Sequence, residues 1–401
     1  MNLLKMRYRY IIAGFATLLF MGVGLAWSIF VVPVETLFGW TRAQTSLVFT
    51  VNILCFSVGS ILAGILSKYF KYQHILKLSA CLIALGFFGS SMIKEVWQLY
   101  ITYGVIAGSG IGMGYNCIIS SCPTWMPEKN ATATGLLLMG YALSTAIFGP
   151  VLNALISSVG IVNTFKILGV LCGSCIFLLS FFIRIPTLDE MALLPQPTKK
   201  SSNNKSVITS EMVKMPVFWT YIIISTIFAG IGLTITNHNA PILTENLFVL
   251  SSTASLVISI VSITNGIARF CWGMLFDKLG VQKCITMIGV ISIVALVGVY
   301  CGYQMKSFIL YVLSACLLMV VYGGNATTSP AIIRTLFGSR TFSLNFSLAS
   351  LNAIPASFFP TIMGSLQLIN NSYALPFLVL LVTSVINFII AMVFVGQSKK
   401  L

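Results

Sequence analysis

About twelve apolar stretches, each near the ~20 residues that cover a ~30 Å hydrocarbon core, follow one another along this 401-residue chain. They read roughly as 10–32, 45–66, 75–93, 98–120, 133–157, 164–184, 217–236, 252–275, 284–302, 307–330, 344–367 and 375–396. Lipid offers a backbone no hydrogen-bond partner, so each stretch must be a helix. The expected fold class is an all-α membrane protein with twelve transmembrane helices. Composition points the same way: 57% of the residues are hydrophobic and 8% are charged, against about a quarter charged in soluble domains. The first stretch is too long for the apolar core of a secretion signal, and no small-residue cleavage site follows it, so it is expected to remain as a span.

A formal charge of +15 could suit a nucleic-acid partner, but its distribution argues otherwise. With the N-terminus inside, eighteen Lys and Arg fall on cytoplasmic segments and four, Arg42, Lys94, Lys166 and Lys306, on external ones. That bias is the positive-inside rule; it predicts cytoplasmic termini and a bilayer environment, with no role for nucleic acid. The ten cysteines are scattered and mostly within spans. Cys172 and Cys175 have redox spacing, yet without a βαβ context they read as small apolar residues. The only histidines are His74 and His238, so no metal set and no cofactor are expected.

One long polar interval, 185–214, rich in Ser, Asn, Lys and Pro, divides the chain into an N-terminal six-helix bundle (1–184) and a C-terminal one (215–401). The halves share a weak repeat. Gly64-Ile65-Leu66-Ser67-Lys68 between spans two and three matches Gly273-Met274-Leu275-Phe276-Asp277-Lys278 between spans eight and nine. Two parallel bundles with a midplane site form a known transporter layout.

The segment from Gly273 through Asp277 and Lys278 to Gly280 resembles the loop signature of the major facilitator superfamily; its first-half counterpart is degenerate, with Lys68 where the family has Asp. More narrowly, the chain resembles the oxalate/formate antiporter branch and its monocarboxylate-transporter relatives. The matching residues are Trp27-Ser28-Ile29-Phe30 with Pro33, Gly39 and Trp40; Pro123 to Lys129 with Ala133 and Gly135; and Asn265-Gly266-Ile267-Ala268-Arg269-Phe270-Cys271-Trp272-Gly273. The resemblance implies the major facilitator fold over nearly the whole chain.

Arg269 is the one charge within an apolar stretch; every other Lys, Arg, Asp and Glu can be placed in a loop, a tail or the end of a span. A guanidinium at membrane depth costs roughly +2.5 to +3.5 kcal/mol on insertion scales and cannot shed its proton. No acid lies deep in a span, so an anionic ligand is the natural counter-charge. Ser259, Ser262, Gly266, Arg269 and Gly273 recur at three- and four-residue steps and share a helix face, with Asn265 one turn before Arg269. The planar guanidinium matches a carboxylate, and the resemblance assigns this arginine to substrate carboxylate. The bland alternative is that Arg269, eight residues before Asp277, snorkels to the interface or pairs with helix-end carbonyls.

Oxalate carriers have a second membrane cation, a lysine, midway along span eleven, whereas this chain has Asn352 and Ala353 there. One cation balances a monoanion, while a dianion would leave a charge uncompensated at low dielectric. Animal-type monocarboxylate carriers have a lysine in span one and an acid where Asn265 stands, and neither is present. Trp27, Tyr103, Tyr115, Asn116, Tyr141 and Tyr322 are further cavity candidates, each with packing as the competing role. Asn52 and Asn352 could instead hydrogen-bond between helices. Gly108, Gly110, Gly112 and Gly114 lie inside span four and read as a close-packing surface rather than a nucleotide loop.

The expected function is secondary transport of a small organic anion, a monocarboxylate such as formate, lactate or pyruvate. It would proceed by alternating access, as an exchanger or a carboxylate/proton symporter, in a monomer of a prokaryotic cytoplasmic (inner) membrane. Within the superfamily, the alternative is a multidrug or neutral-solute exporter, whose uptake would not depend on Arg269. A non-transporting membrane sensor is the other, but the central loop is too short and irregular for an output domain. No nucleophile–base pair marks an enzyme.

Overall fold

The computed structural model describes residues 3–196 and 207–399. The middle of the polar interval, with Lys199, Lys200 and Lys205, lies outside the described residues, as does Lys400. Among the described residues, 10 helices are long and apolar enough to cross a membrane. Two of these are double. Asn130–Ser180 carries spans five and six and turns at Gly160 (φ 79°, ψ 165°), and Ser251–Gln304 carries spans eight and nine and turns at Gly280 (φ 78°, ψ −176°). Both conformations are essentially reserved to glycine, so these residues end one span and start the next without a loop. Twelve spans in two six-helix bundles result.

Several spans are less regular than their hydropathy suggests. Span one runs as Leu3–Met21, breaks in a 3-10 turn at Gly22–Leu25, and resumes as Trp27–Phe38. A side chain at Gly22 would meet the Tyr141 carbonyl and Ser144 of span five, so the break brings backbone against backbone. Span two is Arg42–Leu66 and span three Tyr72–Gly89. Span four begins at Val96–Leu99, widens into a π-helix over Tyr100–Ala107 and tightens again over Gly108–Ser121. Span seven is Pro216–Pro241, continued by a π turn at Ile242–Asn246. Spans ten and twelve are Phe308–Phe337 and Ala374–Ser398. Span eleven is in pieces: Phe342–Ala349, a 3-10 turn at Ser350–Asn352, Ala353–Ala356 and Phe359–Asn370. Pro355 and Pro360, each lacking an N–H, account for that fragmentation.

The chain forms two compact units: Met1–Lys200 with Phe342–Ser350, and Ser201–Thr341 with Leu351–Leu401. Span eleven thus changes unit at its 3-10 turn. Lipid tails are as apolar as leucine, so helix association in each unit rests on close packing and interhelical hydrogen bonds.

The first unit shows both. Gly59, Gly108 and Gly112 bring spans two and four together so closely that an added Cβ would collide with the backbone of Ser109, Asn52 and Phe56 respectively. Asn52 crosses the same interface, donating from Nδ2 to the Tyr103 carbonyl at 2.8 Å. Asn116 donates to Ser60 Oγ (3.0 Å) and to the Ser343 carbonyl (3.0 Å), while Ser343 and Ser120 donate to its Oδ1 at 2.6 and 2.9 Å. Its amide is fully engaged in holding spans two, four and the start of eleven. At one end of the unit, Tyr10 stacks on Trp125 with centroids 3.9 Å apart, and the Arg184 guanidinium covers both rings. Arg184 also grips Glu190 through two bonds of 2.6 and 2.7 Å, Trp125 donates to the Arg184 carbonyl, and Arg7 pairs with Glu128. The start of the polar interval is thereby pinned to span one and to the segment after span four.

In the second unit, glycines again set the spacing. Gly232 lies under the ring of Tyr322, Gly323 against the Asn265 backbone, and Gly324 against the Trp272 indole, whose N–H donates to the Val320 carbonyl at 2.9 Å. Spans eight and ten therefore touch along the Asn265–Trp272 face. His238, near the end of span seven, places Nε2 2.9 Å from the Pro360 carbonyl and Nδ1 3.1 Å from the Tyr373 hydroxyl. A carbonyl only accepts, so Nε2 carries a proton and donates to Pro360, while Nδ1 meets the Tyr373 hydroxyl. His238 therefore ties span seven to span eleven and to the residue before span twelve.

Candidate anion-binding site

Among the described residues, Arg269 is the only charged side chain that is buried, 6% exposed. It stands on span eight, eleven residues before the Gly280 turn, a rise of roughly 16 Å at 1.5 Å per residue. Of the polar stripe, Ser259 is exposed, Ser262 half-buried, and Gly266, Arg269 and Gly273 buried. The stripe enters the packed interior as it approaches the arginine. Tyr322 stands on span ten, whose next residues Gly323 and Gly324 pack against Asn265 and Trp272 of span eight, about one turn to either side of Arg269. Asn265 is half-buried, with its carbonyl and Oδ1 turned to Gly323. The small residues of Tyr322-Gly323-Gly324 are what allow span ten to approach this face of span eight.

The remaining candidates fall in different surroundings. Asn352 donates to Ser225 Oγ on span seven, as an interhelical hydrogen bond would require. Trp27 is buried in the first unit; its N–H donates to the Thr45 carbonyl at 3.0 Å and its ring packs at 4.6 Å from that of Tyr103. Tyr103 in turn donates to the Gly24 carbonyl at 2.9 Å. Tyr115 and Tyr141 form an edge-to-face pair with centroids 5.3 Å apart, and Phe56 packs on Tyr115 at 5.2 Å. In the loop signature, Gly273 is buried, Asp277 and Lys278 are exposed, and Gly280 provides the turn.

Two residues of this region escape sequence inspection. Asn325, one turn beyond Tyr322 on span ten, is 4% exposed and donates from Nδ2 to the Ser225 carbonyl at 3.0 Å. Ser225 is fully buried on span seven. Neither breaks the hydropathy of its span, and isolated Asn or Ser in an apolar helix is ordinary; only the meeting of Ser225, Asn325 and Asn352 distinguishes them.

A twelve-span helical chain whose described residues bury one cation, near aromatic and amide side chains, has the form of an integral-membrane carrier. The family model of the Major Facilitator Superfamily matches residues 12–352 and 222–401, and the chain belongs to that superfamily. It is similar to the oxalate:formate antiporter of Oxalobacter formigenes, 24% identical over 92% of this chain and 87% of that protein. It is also similar to human monocarboxylate transporter 12, at 23% identity over 88% of this chain and 73% of that one. Among solved structures, the proton:xylose symporter XylE superposes with a TM-score of 0.77 over 98% of this chain and 97% of its own, at 15% identity, a likeness of fold.

Proposed function

We propose that this chain carries small organic monocarboxylates across the membrane by alternating access, with Arg269 binding the carboxylate. The observation that carries the reading is the buried guanidinium: the buried described side chains hold one formal charge, and it is positive. Asn265 and Tyr322 flank it, the first as an orienting amide and the second as an aromatic wall. The other substrate-binding candidates are Tyr115, Tyr141 and Trp27 of the first unit and Asn352 of the second. Gly273, Asp277, Lys278 and Gly280 form the conformational loop motif. The neutral Asn352, where oxalate carriers have a lysine, favours a monoanion such as formate, lactate or pyruvate, because a second substrate charge would go uncompensated. The names of the relatives, an oxalate:formate antiporter and a monocarboxylate transporter, support the same substrate class.

No described acid is buried, which favours anion exchange, or symport in which the substrate carboxylate itself carries the proton. We propose a cytoplasmic (inner) membrane as its location, with the carrier a monomer and both termini inside, in keeping with the positive-inside bias.

The test is uptake of labelled formate, lactate, pyruvate and oxalate into proteoliposomes, with and without internal anion, for the wild type and Arg269→Gln. Monoanion uptake that internal anion accelerates and Arg269→Gln abolishes is expected. Uptake indifferent to the substitution would make Arg269 structural and leave a neutral-solute exporter as the better description.

A further inference from the structure

Spans three and six of the first unit meet at their backbones and leave a groove in front of that contact. An added Cβ would meet the Ala84 carbonyl at 2.9 Å if placed on Gly169, and the Ala84 side chain at 2.5 Å if placed on Gly173, so the helices touch along the groove floor. The exposed lining is Cys81, Leu85 and Phe88 from span three and Val170, Ser174 and Phe177 from span six, around a cavity of about 580 Å³. Leu85 is 62% exposed and Val170 60%, so the described chain leaves the groove open.

A charge stands at one end. One turn before Cys81, the Lys77 ammonium lies 4.0 Å from the centroid of the Phe181 ring and 5.8 Å from that of Phe177, which itself lines the groove. A further turn out, the Gln73 amide donates to the Phe181 carbonyl at 3.3 Å and fastens the two helices there. The ion pairs at this end of the unit, Arg7 with Glu128 and Arg184 with Glu190, leave Lys77 with no carboxylate partner among the described residues. The two rings stabilise its charge without neutralising it. Lys68 and Lys71, exposed in the turn before span three, carry the same sign, on the side that the positive-inside bias places in the cytoplasm.

Length and volume indicate the occupant. From Lys77 to Phe88 span three rises roughly 16 Å, about half of the ~30 Å hydrocarbon core and so the depth of one leaflet. A helix ~10 Å across would take up roughly 1,300 Å³ over that length, more than twice the groove, and could rest only on its rim. A single acyl chain is narrower and runs from headgroup to midplane in the same direction. Its headgroup then falls at Lys77, where a net negative charge is favoured.

We propose that the groove between spans three and six holds one acyl chain of an anionic phospholipid of the cytoplasmic leaflet, with the headgroup at Lys77.

The test places the purified chain in phosphatidylcholine vesicles with a trace of lipid whose acyl chain carries a photoactivatable diazirine, either phosphatidylglycerol or phosphatidylcholine. Adducts are mapped by mass spectrometry, so the result does not depend on transport or on the role of Arg269. Adducts of the phosphatidylglycerol probe should concentrate on residues 80–88 and 169–178. Their yield there should exceed that of the phosphatidylcholine probe about fivefold, the strength of one lysine at an anionic headgroup. Lys77→Gln should bring the ratio towards one, and Lys166→Gln, at the other end of span six, should leave it unchanged. Ser174→Phe, which fills the groove, should lower the yield from both probes. The wild-type comparison of the two probes needs no variant, so poor folding of a substitution leaves the proposal testable. Equal wild-type yields, or the same loss of preference in Lys166→Gln, would mean ordinary lipid contact and overturn the site. No adducts in the groove, together with a chain-to-chain cross-link at Cys81, would assign the groove to a second copy and overturn it equally.

Discussion

Single residues decide the geometry of this chain where the backbone leaves the conformations open to ordinary side chains. Gly280 turns span eight into span nine at φ 78°, ψ −176°, with no neighbouring atom where a Cβ would stand. Its role is therefore purely conformational. Gly280→Ala is expected to destabilise the second unit by about 1–3 kcal/mol, the usual cost of such backbone strain. The check is the thermal unfolding midpoint in detergent, with Gly396→Ala as comparator, since that position is equally open and helical. Equal midpoints for the two variants would show that the turn tolerates a side chain. Gly280 was legible as part of a loop signature, and its neighbours Asp277 and Lys278 as the exposed charges beside it. Arg269 was legible for a simpler reason: a charge amid apolar residues stands out in any reading of hydropathy. Asn325 was not, because its distinction is a hydrogen bond to Ser225, a residue far away in the chain.

At the scale of elements, polar groups at chosen heights tie helices together alongside their close packing. The start of the polar interval shows the principle outside the membrane. The short helix Leu188–Leu193 is capped by Thr187, and its Glu190 is clasped by Arg184, which lies over Trp125 and Tyr10. Hydrogen bonds from Arg184, then from the Thr187 backbone, hold the Glu190 carboxyl down at about 2. A carboxyl whose folded pKa lies below its unfolded value stabilises the structure fully above the unfolded value. That contribution is lost as pH falls through the folded one. Protection of the 184–194 segment against hydrogen exchange, corrected for intrinsic rates, should therefore decline between about pH 4.5 and pH 2. Glu190→Gln should lack that decline. An identical profile for wild type and variant would mean that the clasp does not hold the helix. The family-like segment Pro123–Lys129 was readable in sequence, but not what it does: Trp125 and Glu128 anchor partners at Arg184, Tyr10 and Arg7.

For the whole molecule, the distribution of charge is the controlling quantity. Eighteen basic residues on one set of segments against four on the other predict that both termini face the cytoplasm. A protease-cleavable tag at either end should be cut in inside-out vesicles and resist in right-side-out ones. Cleavage of either tag in right-side-out vesicles would reverse the assignment. Twelve spans were countable because each is a local, roughly 20-residue statement about lipid. Their breaks were only partly so. Proline at 355 and 360 announces disorder in the helix of span eleven, whereas the change of unit at Ser350–Asn352 follows from which helices its first turns pack against.

What the sequence alone determined is what lipid imposes residue by residue. Backbone hydrogen bonds must close within each apolar stretch, so spans can be read locally, and a charge inside one is conspicuous wherever it stands. What only the tertiary structure decided is the partnering of uncharged polar groups. Asn116 and Ser343 meet across 227 positions and Asn325 and Ser225 across 100, while the Trp27 indole is committed to the Thr45 carbonyl. Such pairs leave no periodic trace, because hydrogen bonds between spans depend on helix rotation and height, which are fixed by packing against every other helix in the unit.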